Sequence, residues 1–191
     1  SYFADKPARP RQRTDCPLRL LTITRLITAN RRKNVDGVLR ALGKLRGELD
    51  FFYTIVGDGN MREELEFLAA ELGIRDRVAF LKNVSEDEKL RILDETDLFV
   101  MCSKATANDS EGFGIVYIEA AARGVPSLAS RNGGATDAVA ENVSGCFVED
   151  GDPDEIADEI RFFTANSNNF KPERIYEHAE NFKWDRISER I

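Results

Sequence analysis

Six short apolar runs, at 18–23, 51–56, 78–81, 98–101, 126–129 and 146–148, recur along the chain, each followed by a turn or by residues at helical spacing. Between the runs, Val35, Val38, Leu39 and Leu42 fall at i, i+3, i+4 and i+7, and Leu65, Leu68, Ala69 and Leu72 do the same. That spacing gives each segment one apolar helical face, while runs of four to six residues suit buried strands. Strands alternating with amphipathic helices predict a doubly wound, Rossmann-like α/β domain: about six parallel strands, right-handed crossovers, helices on both faces.

The chain has 191 residues and is 42% apolar, enough for one sizeable core. It has no apolar stretch of about 18 residues and no signal-like leader, so the expected location is the cytoplasm. Cys16, Cys102 and Cys146 are odd in number and lack metal or redox spacing, which fits free thiols. Net charge is −7, and with +3 on residues 1–19 the remainder carries −10, which disfavours nucleic acid as a partner. Residues 1–17, with Pro7, Pro10 and Pro17, read as a linker or tail. The folded unit spans 18–170, and 171–191 reads as terminal helices with Pro172 at a helix start.

In a sheet of this kind ligands bind beyond the carboxyl ends of the strands. Arg25, Gly57 to Gly59, Lys82 to Val84, Ser103 to Glu111 and Ser130 to Gly134 all follow strands, so they share one rim. Arg25, Arg31, Arg32 and Lys33 make the one dense cationic cluster there. In the run Glu111-Gly112-Phe113-Gly114-Ile115, the two glycines open a close backbone approach and the helix that follows aims free N–H groups outward, an anion seat. Gly57-Asp58-Gly59 has two readings, a tight strand-to-helix turn or a ligand contact. Its third fingerprint position is Arg62, which argues against a dinucleotide site. Glu111 and Glu119 are eight residues apart, roughly 12 Å along a helix, too far for the carboxylate pair of a glycosidase at about 5 to 9.5 Å. As plain structure, Glu111 serves a helix N-terminus and Glu119 is a polar spot on a buried helix. Cys102 reads as packing, and His178, the single histidine, as surface.

The run Glu111 to Glu119 resembles the E-x7-E signature of the retaining nucleotide-sugar glycosyltransferases of family four, which have the GT-B architecture. Thr24-Arg25-Leu26 with Lys33, Ile55-Val56-Gly57-Asp58-Gly59, 77–81, Asp97-Leu98-Phe99-Val100 and Asn132-Gly133-Gly134 follow in that family's order, so the resemblance covers about 18–190. It departs from the family's pattern in places: Thr24 and Asn34 stand where the family has glycine before the Arg and after the Lys, the loop Ile27–Arg32 is longer, and, as smaller departures, Asp137 replaces a Glu and Cys102 a Pro.

The resemblance implies transfer of a sugar from a nucleoside diphosphate sugar to a hydroxyl on a glycan or lipid-linked saccharide, with retention, this chain being the donor-binding half. It implies that Arg25 and Lys33, or Arg32 in its place, grip the diphosphate, together with the backbone of Phe113, Gly114 and Ile115. It places Glu111, Gly112, Gly133 and Gly134 beside the sugar, Glu119 on the ribose hydroxyls, and Gly57, Asn83 and Val84 around the nucleoside. No Asp-x-Asp motif stands at the diphosphate, so no metal or other cofactor is expected. The implied partners are an N-terminal acceptor-binding domain of the same polypeptide and, for the whole enzyme, a peripheral membrane contact. Two rival classes are a nucleotide-binding module without turnover and a nucleotide-sugar epimerase on the same architecture.

Overall fold

A computed structural model describes residues 17–104 and 114–182. Six strands, β1 (Leu18–Ile23), β2 (Phe51–Val56), β3 (Val78–Leu81), β4 (Leu98–Met101), β5 (Ser127–Ser130) and β6 (Gly145–Val148), form one sheet in the order β3-β2-β1-β4-β5-β6. All neighbours are parallel, as the alternating pattern predicts. The order reverses between β1 and β4, which opens a crevice at their carboxyl ends. The seam there is sparse: only Leu20 with Leu98 and Leu21 with Phe99 are in register, whereas β1 and β2 pair along their whole length.

Strand alternation builds the two cores. Leu18, Leu20, Leu98, Val100 and Leu128 point to one face, against α1 (Val35–Leu45), α2 (Arg62–Glu71) and α6 (Pro153–Asn166). Leu21, Phe99, Met101 and Ala129 point to the other, against α3 (Glu86–Asp94), α4 (Ile115–Ala121) and α5 (Ala135–Ala138). The last helix, α7 (Pro172–Glu180), adds Ile175 and Ala179 to the first core. β4 and β5 are buried at every position, the mark of central parallel strands.

The helix ends follow local chemistry. Ser85 caps α3 by accepting from Glu88 N, and Asp152 caps α6 by accepting from Asp154 N ahead of Pro153. Such caps contribute about 1 kcal/mol each. Pro172 opens α7, where a missing N–H costs nothing.

Three sequence expectations shift. The fifth strand starts at Ser127 rather than Pro126, whose carbonyl instead accepts from Phe99 N at 2.9 Å and whose ring nitrogen has nothing to donate. The sixth begins one residue early, at Gly145. His178 is half-buried and engaged, more than a plain surface residue: its Nε2 lies 3.0 Å from the Ala138 carbonyl and its ring stands edge-on to Phe182, tying α7 to α5. Of the stretch read as a linker, only Pro17 lies within the described residues.

Candidate functional site

The rim is held together mainly by backbone. Beyond β1 the chain continues as a ribbon against the end of β2: Thr24 N donates to Val56 O, Leu26 N to Asp58 O and Met61 N to Leu26 O. Gly57 N donates onward to Leu81 O of β3. A methyl group on Gly57 would sit 1.8 Å from the Thr24 oxygen, and one on Gly59 2.3 Å from that of Leu26. Of the two readings of this turn, the backbone contact accounts for both glycines without a ligand.

Leu26 is buried, and its neighbour Arg25 is exposed with no ion-pair partner among the described residues. A 3-10 turn, Thr28–Lys33, then ends in Arg31, Arg32 and Lys33. Arg31 is already committed: its guanidinium donates to Glu64 at 2.7 Å, and that bond raises its pKa further. Arg32 and Lys33 are half-buried, and the Arg32 carbonyl accepts from Lys104 N at 2.7 Å, joining this loop to the end of β4.

Asn34 follows in the left-handed conformation (φ 59°, ψ 35°). Glycine adopts that conformation at least cost and asparagine comes next, which explains physically why Asn serves here in glycine's place. Its buried side chain donates from Nδ2 to Gly151 O at 2.7 Å, tying the cationic loop to the β6–α6 connection. Gly37 makes room for it, since a methyl there would lie 2.4 Å from Asn34 Oδ1. The β6–α6 connection has its own anion: Glu155 accepts from the N–H groups of Glu149, Asp150 and Gly151.

On the far side of the crevice, Glu111, Gly112 and Phe113 lie outside the described residues. Gly114 precedes α4 at φ 71°, and a methyl there would strike the Tyr117 ring at 2.8 Å and approach Gly134 O at 3.3 Å. This brings Gly114 to Gly134 and, through it, to Gly133. Tyr117 anchors α4 by donating to Met101 O at 2.7 Å with its ring edge-on to Phe99, while Ile115 is 64% exposed at the helix start. Asn132 Nδ2 donates to Ser103 O at 2.8 Å, closing the β4 and β5 loops onto each other. Beyond β3, exposed Asn83 takes a left-handed conformation (φ 54°) and Val84 packs into the second core.

The described site candidates thus occupy one rim: Arg25 and Lys33 on the β1 side, Gly114, Ile115, Glu119, Gly133 and Gly134 on the β4–β5 side, and Gly57, Asn83 and Val84 along β2 and β3. Glu119 is not a bare carboxylate, because Lys89 of α3 faces it at 3.6 Å. Lys89 escapes sequence reasoning: from its spacing it looks like a surface partner for Glu86, with which it does pair at 3.1 Å. Cys102 is fully buried, as is most of Cys146, and burial pushes both thiols up, the latter to about 12. Neither supplies a thiolate near neutrality, in keeping with packing. Among the described residues, no helix is long and apolar enough to cross a membrane.

A parallel sheet whose strand order reverses between β1 and β4, with helices on both faces, belongs to the doubly wound α/β class, whose ligands bind at that switch point. The family is specific: residues 17–182 match the family model described as glycosyl transferases group 1, and the chain belongs to that family. The chain is 36% identical over 163 residues to a GDP-mannose-dependent alpha-(1-6)-phosphatidylinositol monomannoside mannosyltransferase of Mycolicibacterium smegmatis, covering 81% of this chain and 42% of that protein. Among solved structures it resembles the lipopolysaccharide outer core galactosyltransferase WaaB in its apo form (TM-score 0.80, 20% identity, 99% of this chain and 54% of that one). It also resembles the C-terminal domain of LpcC from Francisella tularensis (TM-score 0.70, 19% identity, 93% and 94%). These structures bear out the fold, one half of a GT-B architecture. The chain spans less than half the length of the curated relative.

Proposed function

We propose that this chain is the donor-binding half of a retaining glycosyltransferase that moves a sugar from a nucleoside diphosphate sugar to a hydroxyl of a glycan or lipid-linked saccharide. The observation that carries the reading is Arg25: a guanidinium without an ion-pair partner among the described residues, held at the β1 end beside Arg32 and Lys33 in a chain of net charge −7. As the glycosidic bond breaks, negative charge grows on the leaving diphosphate, and donors already in place lower that barrier without reorganising. Arg25 offers a two-pronged fork and Lys33 a point charge. Glu119 receives the ribose hydroxyls, Asn83 and Val84 border the base, and Gly133 and Gly134 border the sugar together with Glu111. These cations take the place a metal would otherwise fill, so a chelator is expected to leave nucleotide binding unchanged. The acceptor belongs to a second domain, and the whole enzyme works in the cytoplasm with peripheral membrane contact.

The test starts with thermal shifts against UDP, GDP, ADP and TDP sugars, since a ligand of the folded state stabilises by mass action. The guanine nucleotide is tried first because of the mannosyltransferase relative. Arg25→Ala is then expected to weaken the nucleoside diphosphate by about 1.5 to 3 kcal/mol, the scale of a charged hydrogen bond, and to leave the matching nucleoside almost unaffected. Equal losses for both ligands in calorimetry would remove Arg25 from the diphosphate.

A further inference from the structure

Two side-chain ion pairs join the α3 and α4 segments, and in one of them Lys89 stands with two carboxylates. Glu86, one turn away on α3, is 3.1 Å from the ammonium and 74% exposed. Glu119 is 3.6 Å away, and the side chains of Lys89 and Glu119 are only 16% and 17% exposed. The outer contact is the ordinary i,i+3 pair of a surface helix. The inner one joins two elements 30 residues apart in sequence and is shielded from water, so it is screened far less.

At 3.6 Å the inner contact exceeds hydrogen-bond length, so it acts through charge. Lys89 is also not the main tie between the helices. Arg123, just past α4, forks onto Asp94 at the end of α3 with bonds of 2.6 and 2.8 Å, the strong bidentate geometry. The helices thus have a tie that does not involve Lys89, whose inner contact bears on the shielded Glu119 carboxylate.

We infer that Lys89 is a positioning residue for the donor's ribose: it holds the Glu119 carboxylate in place, so that sugar hydroxyls donate to it. This rests on the donor-site reading above. The readout is the preference for a ribonucleotide over its 2′-deoxy form, which a purely structural residue leaves unchanged.

The experiment measures calorimetric dissociation constants of GDP and 2′-deoxy-GDP for the 191-residue chain and its variants. Wild type is expected to prefer GDP, and Glu119→Gln to lose most of that preference. Lys89→Met is expected to lose at least about three-fold of it while 2′-deoxy-GDP binds almost as before. Lys89→Arg restores the preference, and Glu86→Gln, which breaks only the outer pair, leaves it intact. Lys89→Gln stands in should Lys89→Met fold poorly. If Glu119→Gln loses the preference and both neutral Lys89 variants keep it, Lys89 has no such role. If wild type binds both nucleotides equally, the ribose assignment itself falls, and this inference with it.

Discussion

At the scale of single residues, Asn34 joins local conformation to the site. Replacing it with alanine imposes about 1 to 2 kcal/mol for a left-handed residue with a Cβ and removes a buried hydrogen bond contributing about 0.5 to 1.5 kcal/mol. Asn34→Gly removes only the bond. Denaturant melts are therefore expected to rank wild type above Asn34→Gly and Asn34→Gly above Asn34→Ala; the reverse order for the two variants would show that φ is not what constrains this position. Glu159 gives a pH dependence. Burial raises its carboxyl above the usual range, Glu155 raises it further, and a bond from the Cys146 thiol offsets part of this. A carboxyl raised in the folded state favours the protonated form, so its contribution is fully present below the unfolded value of about 4.3 and is lost as pH rises through the folded one. Glu159→Gln should raise the melting temperature at pH 7, and the gain should fade toward zero in acid below about pH 4. A gain that persists there would point to packing instead of charge.

At the scale of elements, the β1–β2 ribbon sets Arg25. Gly57→Ala drives a methyl into the Thr24 carbonyl, with backbone on both sides of the clash, so the strand ends must separate. The expected cost is more than about 1 to 3 kcal/mol, the usual toll of overpacking, with weakened nucleotide binding from a displaced Arg25. A variant of native stability would mean that the ribbon yields more easily than its hydrogen bonds suggest. The strands and main helices were legible in the sequence because burial writes itself as period: Val35 to Leu42 and Leu65 to Leu72 read as helices, and α1 and α2 cover them up to Leu72, the residue that caps α2. The rim was legible because strand ends are where turns fall. What escaped was made by contacts between distant segments. The 3-10 turn at Thr28–Lys33 has no apolar periodicity, the Glu155 carboxylate on the Glu149–Gly151 backbone looks like any helix-start acid, and Lys89 shows only its local partner. His178 was misread for the same reason, its bond to Ala138 spanning 40 residues.

At the scale of the whole molecule, the sheet closes its own two cores, so the domain is expected to fold alone and bind nucleotide saturably. Transfer is expected to fail. Holding donor and acceptor together in a dry cleft can be worth about 7 to 11 kcal/mol, and on the proposed function the rim supplies one wall of such a cleft. The assay is nucleotide release from the donor sugar with and without acceptor saccharides or lipids; robust acceptor-dependent transfer by these 191 residues would contradict the half-enzyme reading. The crevice also lies over the seam between β1 and β4, where only two positions are in register. A diphosphate gripped by the loop after β1 and a ribose held from α4 would span that seam from above, as a staple closes a fold in paper. The strand pair with the fewest positions in register then gains a further tie through the ligand, and the amide hydrogens of Leu21 and Leu98 should exchange with solvent more slowly when the nucleotide is bound.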